Sequence, residues 1–169
     1  MPKTIDHNKR RKDIIDNSFQ LFAELGYAGL SMRKMAKHMG MTTGMLYHYF
    51  ANKEELFTAL LMDKQIAQIA TFNEYAAESD NNRTAFRQFL VENSQSMQQL
   101  LAIALEFHRQ HPEWEFDIIS KVYEQAFQQY LDTSELESKQ LLVCLLGELV
   151  RGLLGEMVFE EWSPVFQYL

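Results

Sequence analysis

Between Gly44 and Gly147 the chain contains no glycine, and its only proline there is Pro112. The interval is rich in Gln, Glu, Ala, Leu and Met, residues that lose little side-chain freedom in a helix. A half-buried strand needs alternating apolar and polar residues, and no run supplies that pattern. The expected fold class is therefore all-α. The other glycines act as punctuation: Gly26, Gly29, Gly40 and Gly44 crowd the first quarter, and Gly152 and Gly155 follow Gly147. At 169 residues, 47% of them hydrophobic, the chain can build a packed core in one domain or in a small domain joined to a modest second one.

Periodicity and caps place the helices. The first is expected from about Lys9 to Leu25, with Ile15, Phe19 and Phe22 on one stripe and Gly26 as a left-handed stop. Ser31 caps a second, whose apolar face is Met32, Met35, Ala36 and Met39. Gly40 makes a turn, and Thr42 or Thr43 caps a short third helix bearing Leu46, Tyr47 and Phe50. Asn52 caps a fourth, with Glu54 and Glu55 in its first turn, running to about Ala77. After the polar break Ser79–Arg83, helical pattern resumes to about Gln110, with Asn93–Ser96 a candidate interruption. Pro112 fits the first turn of a helix ending near Leu131. Ser134 caps a last helix to about Glu160, and the tail "WSPVFQYL" packs by its aromatics.

Net charge is −7, but it is unevenly placed. Residues 1–60 carry nine Lys/Arg against six Asp/Glu, giving +3, which leaves −10 for the remainder. A basic end joined to an acidic body suits a polyanion-binding module carried on a solubilising or partner-binding one. The single cysteine, Cys144, excludes an internal disulfide framework and fits a reducing cytoplasm; the polar start "MPKTIDHNKRRKD" has no signal-peptide core. "LLVCLLGELVRGLLGEMVF", residues 141–159, carries Glu148, Arg151 and Glu156, each costing roughly 2.5–3.5 kcal/mol in a spanning helix. It is expected to be a buried helix of a soluble protein, with no membrane partner.

The stretch "SMRKMAKHMGMTTGMLYHYFANKEEL", Ser31 to Leu56, has the form of a helix-turn-helix over about residues 31–50. A helix enters the major groove only if its N-terminal end points outward and carries side chains that approach base edges. Thr42, Thr43, Gly44 and Met45 meet that requirement, while Leu46 and Phe50 offer an anchoring face. Tyr47, His48 and Tyr49 place donors at the rim. Ser31 offers a hydroxyl beside backbone N–H groups, suited to phosphate, and Lys53 can reach a neighbouring phosphate.

On these residues the chain resembles the tetracycline-repressor (TetR) family of bacterial transcriptional regulators. The likeness is carried by Leu21-Phe22, Gly26-Tyr27, Ser31, Met35-Ala36, Gly40, Gly44, Leu46-Tyr47, Phe50 and Lys53-Glu54-Glu55-Leu56, and covers about residues 9–60. It implies a three-helix DNA-binding domain, residues 1–53, followed by a helical-bundle domain, residues 54–169, for effector binding and dimerisation. It implies base contacts from Arg33, Thr43, Met45 and His48, phosphate contacts from Ser31, Tyr47, Tyr49 and Lys53, and a capping role for Thr42. Met45 stands where a smaller polar residue is common, so its contact would be apolar, as to a thymine methyl. The run Asn8–Lys12 either adds phosphate attraction or is a solvated arm.

The last helices carry an apolar belt wider than one core requires: Leu142, Leu145, Leu146, Leu149, Val150, Leu153, Leu154 and Met157. Either the segment is the centre of a monomer or it packs on a second chain. The resemblance favours the second reading, with helices 112–131 and 134–160 forming a four-helix homodimer interface, and a palindromic double-stranded operator. It also implies a small, largely apolar effector, and the candidate lining is Met62, Ile66, Phe89, Met97, Leu101, Phe107, His108, Trp114, Phe116 and Tyr123. No cofactor is expected. The implied function is that of a cytoplasmic bacterial repressor. The alternatives are an activator or co-regulator of the same fold, or a helical small-molecule binder without DNA function.

Weaker patterns point elsewhere. His108 and His111 beside Glu106 and Glu113 have metal-like spacing but read better as a solvated helix end. Cys144 reads better as an inert buried thiol than as a redox sensor. No nucleophile–base arrangement is visible, so an enzyme is not expected.

Overall fold

The computed structural model describes residues 6–114 and 117–154. Among them are seven α-helices and no strand: α1 (His7–Gly29), α2 (Met32–His38), α3 (Thr43–Tyr49), α4 (Lys53–Ala77), α5 (Asn82–Gln110), α6 (Asp117–Leu131) and α7 (Glu135–Leu153). The chain divides into two compact units: one made of residues 1–64 and 103–110, the other of residues 65–102 and 111–169. No described helix is long and apolar enough to cross a membrane.

The capping residues set the helix starts. Asp6 accepts from the backbone N–H of Asn8 and Lys9 at 3.1 and 3.2 Å, so the basic run Asn8–Lys12 is helical. Ser31 caps α2, Thr42 rather than Thr43 caps α3, and Asn52 Oδ1 accepts from Glu55 N–H at 2.7 Å. Ser134 and Glu137 form a reciprocal capping box at the start of α7, and those bonds hold the Glu137 carboxyl below its ordinary range.

Three expectations change. Gly26 does interrupt the first helix, with φ +69° and ψ 168°, but that is an extended positive-φ conformation rather than a left-handed cap, and helical structure resumes to Gly29. The fifth helix is continuous through Asn93–Ser96. There Asn93 donates to Phe89 C=O and Ser94 to Val91 C=O, so polar groups able to compete with the helix bond along it instead. Pro112 lies in a turn, closed by Trp114 N–H to His111 C=O at 3.0 Å, and the next described helix begins only at Asp117. The last helix ends at Leu153 within the described residues; Gly155, Met157 and the tail lie outside them.

The first unit is centred on Ile14, Phe22, Met35, Leu46, Phe50, Leu56, Phe57, Leu60 and Phe107, all at most 1% exposed. Tyr27 stacks on Phe22 and meets Phe57 and Phe107 edge-on, with centroids 4.9–5.9 Å apart. Such aromatic pairs add about 0.5–1.5 kcal/mol beyond their buried area. The second unit has its own core of Phe72, Phe86, Phe89, Leu90, Met97, Phe127, Leu131, Leu141, Leu142, Leu145 and Leu149. In it α6 packs on α7.

Candidate nucleic-acid interface

Helices α2 and α3 pack on each other across the turn Met39–Thr42. Gly40, at φ +64°, provides the reversal, a backbone state that glycine enters without steric cost. The inward face is fully committed: Met32 is 6% exposed, Met35 0%, Ala36 1%, Leu46 0% and Phe50 1%. Each helix is only seven residues long, below the length at which helices persist alone, so this burial is what holds them.

The outer face carries nearly all the residues singled out from sequence. Ser31, Arg33, Thr42, Tyr47 and His48 are exposed, and Thr43, Met45 and Tyr49 are half-buried. Gly44 faces open space, since a β-carbon there would meet nothing within 4 Å. The α3 surface can therefore approach a flat partner closely along its first turn. Ser31 Oγ accepts from Lys34 N–H at 3.3 Å, and Thr42 Oγ1 from Met45 N–H at 3.1 Å. His48 reaches back to the start of α1: its Nε2 lies 3.0 Å from His7 Nε2, and both rings contact Tyr49.

Lys53 is placed differently from the others. Its ammonium donates to the carbonyls of Tyr27 and Leu30 at 2.9 and 3.2 Å and sits 3.8 Å over the Tyr27 ring. Burial lowers its pKa, an effect that the nearby Glu106 carboxylate opposes. Two of its three donors thus serve the α1–α2 joint. Lys34 is likewise engaged, donating to Gly29 C=O at 2.8 Å. Of the basic run, Arg11 stacks over Phe50 at 4.5 Å, and Lys12 bridges Asp16 and Asp63 at 2.7 and 2.8 Å.

Sequence reasoning missed Glu106, read there as part of a solvated helix end. Its carboxylate accepts from Tyr27 N–H at 2.8 Å and Ala28 N–H at 2.9 Å. The separation of 79 and 78 residues hid it, and no local pattern in the sequence marks it out. Among the described residues no group of three or more His, Cys, Asp or Glu side chains could hold a metal.

The candidate effector residues do not converge. Phe89 and Tyr123 line an apolar cavity of about 20 Å³ in the second unit, together with Gln68, Ile69, Phe72, Phe86, Ala126, Phe127 and Leu131. Tyr123 hydrogen-bonds Gln68, and burial pushes its phenol well above the ordinary tyrosine range. Met97 is buried in the second unit's core, and Leu101 packs against it. Phe107 belongs to the first unit's aromatic cluster, with His108 half-buried beside it in sequence. Met62 and Ile66 are 39% and 64% exposed. Trp114 is half-buried in the turn after α5, and Phe116 lies outside the described residues.

The candidate interface residues separate into two faces of α7. Leu142, Leu145 and Leu149 are buried in the second unit's own core. Leu146, Val150, Leu153 and Leu154 are exposed, as are Leu136 and Val143, which the sequence reading left out. Leu136, Val143 and Val150 repeat every seven residues, with Leu146 and Leu153 three residues after the last two. Met157 lies outside the described residues.

Residues 14–60 match the family model described as bacterial regulatory proteins, tetR family. The chain is 46% identical over 56 residues to the HTH-type transcriptional regulator PksA of Bacillus subtilis, covering 33% of this chain and 27% of that protein. It is 39% identical over 51 residues to the HTH-type transcriptional repressor AcnR of Corynebacterium diphtheriae, covering 30% of this chain and again 27% of the relative. The matches thus span about a quarter of each relative's length. The structure of a TetR transcriptional regulator from Rhodococcus sp. RHA1 is similar with a TM-score of 0.66 at 16% identity, over 95% of this chain and 94% of that one, a likeness of fold. The likeness to the tetR family of bacterial regulatory proteins is thus carried by the N-terminal segment, residues 14–60.

Proposed function

We propose that the chain is a sequence-specific, DNA-binding transcriptional repressor acting as a homodimer on a palindromic duplex site. The observation that carries this reading is the two-faced α3. Leu46 and Phe50 are buried at 0% and 1% exposure, while Tyr47 is 52% exposed and Gly44 looks onto open space. A seven-residue helix so anchored has its other face available for base edges. In this reading Arg33, Thr43, Met45 and His48 read bases, and Ser31, Tyr47 and Tyr49 hold phosphates. Lys53 adds at most one further donor. Residues 1–53 form the reading head and residues 54–169 the dimerising and sensing part.

The heptad-spaced apolar face of α7 supports the dimer. An exposed stripe of Leu136, Val143, Leu146, Val150 and Leu153 suits packing at a shallow left-handed angle on another such helix. Gly147, exposed on the same stretch, lets a second backbone approach closely. The effector is assigned to the second unit's cavity. About 20 Å³ holds roughly one water, so a ligand must displace the surrounding rings, and the lining favours an uncharged, largely apolar molecule.

The test is a fluorescence-anisotropy titration on duplexes enriched from a random pool. Arg33→Ala should weaken binding and relax base preference at its position by about 1–3 kcal/mol. Equal binding and unchanged preference would remove the reading.

A further inference from the structure

We propose that Glu106 and Lys53 form a two-sided clamp on the α1–α2 joint, which makes Glu106 a positioning residue for DNA binding although it lies outside the helix-turn-helix. The proposal rests on the DNA-binding reading above.

The joint needs such a clamp because Gly26 breaks the α1 hydrogen-bond ladder at φ +69° and ψ 168°. Successive backbone N–H groups beyond such a break form a concavity that binds anions. Here the anion is internal. Glu106 Oε2 takes Tyr27 N–H at 2.8 Å, and Oε1 takes Ala28 N–H at 2.9 Å. The fit is close: a β-carbon at residue 26 would stand 2.7 Å from Oε2. From the opposite sign, Lys53 Nζ takes the carbonyls of Tyr27 at 2.9 Å and Leu30 at 3.2 Å. One acid and one base therefore hold the donors and acceptors of the same five-residue joint, and the Tyr27 ring lies under the ammonium at 3.8 Å.

The consequence concerns α2 and α3. Leu30, held by Lys53, immediately precedes Ser31, the cap from which α2 starts. Moving the joint moves the start of α2, and α3 is packed on α2. Hydrogen bonds that include an ionised partner are shorter and about twice as strong as neutral ones, which suits them to fixing a register. A side chain that sets the entry of α2 influences operator affinity without contacting a base or a phosphate.

The experiment compares the full chain with Glu106→Gln and Glu106→Asp. The first keeps the shape and loses the charge; the second keeps the charge and loses the reach. Hydrogen exchange of the Tyr27 and Ala28 amides is measured alongside affinity for an enriched duplex at several salt concentrations, with folding checked by circular dichroism. Both variants should exchange these amides at least tenfold faster and bind at least tenfold more weakly. The slope of log affinity against log salt should stay unchanged, because no cation facing phosphate has been removed. Arg33→Ala should weaken binding while leaving the two amides as they are. If the parent binds DNA and either folded variant binds within twofold of it, the clamp has no positioning role and the DNA-binding reading survives. A parent that enriches no duplex removes both. If the Gln variant does not fold, the Asp variant carries the same expectations.

Discussion

Replacing Gly26 by alanine should destabilise the first unit by about 3–5 kcal/mol. Two costs combine. The residue sits at φ +69° and ψ 168°, a region essentially reserved for glycine, and a side chain held there costs of order 1–3 kcal/mol. The new β-carbon would also lie 2.7 Å from Glu106 Oε2, so the carboxylate must withdraw. Withdrawal loosens its bonds to the N–H groups of Tyr27 and Ala28. A hydrogen bond to a charged group contributes about 1.5–3 kcal/mol; counting one rather than two allows for rehydration of a half-buried carboxylate. The sum is about 2.5–6 kcal/mol, with the middle of that span expected. Urea unfolding followed by circular dichroism reads the change, and the second comparison is made in a Glu106→Ala background. There the clash and the bonds are already gone, so Gly26→Ala should cost only the backbone strain, about 1–3 kcal/mol. An equal penalty in both backgrounds, or less than about 1 kcal/mol in the parent, would refute the reasoning.

Three further outcomes follow from the geometry. Leu146→Glu together with Val150→Glu should yield a folded monomer by sedimentation, since both side chains are 39% exposed; a persistent dimer would place the interface elsewhere. Burial, aided by Glu54, pushes the Tyr27 phenol up to about 12. A raised folded-state pKa stabilises fully below the unfolded value near 10 and loses that contribution as pH rises toward 12, so Tyr27→Phe should flatten the fall in denaturant midpoint over that window. Phe89→Ala, at a 2% exposed position on the cavity wall, should cost about 3–5 kcal/mol in the second unit and admit a benzene-sized ligand, detected as a ligand-dependent rise in melting temperature; no rise would argue that the site collapses.

The all-α class and the capped helix starts were legible because they are local, whereas the start expected at Pro112 proved to be a turn. Ser31, Asn52 and Ser134 each sit where a side-chain oxygen meets a backbone donor three residues on, and that spacing is visible in a string of letters. The outward and inward faces of α3 were legible for the same reason. What was not legible is long-range. Glu106 reads as one acid among several at a helix end until residues 27 and 28 are brought to it. Phe107 and Phe89 lie on one helix and look alike as lining candidates, yet one belongs to the first unit and the other to the second, because α5 contributes to both. On α7, leucines at 142, 145 and 149 and apolar residues at 143, 146 and 150 form two interleaved stripes. Periodicity alone gives their spacing but not which stripe the chain buries within itself.

The central claim is that two copies of the α2–α3 head read one duplex. The direct measurement is selection from a random duplex pool, followed by the mass of the complex in solution by light scattering. Two chains on one duplex are expected, with the enriched sequence an inverted repeat whose half-sites lie about one helical turn apart. One chain per duplex, an enriched site without twofold symmetry, or no enrichment at low salt would contradict it.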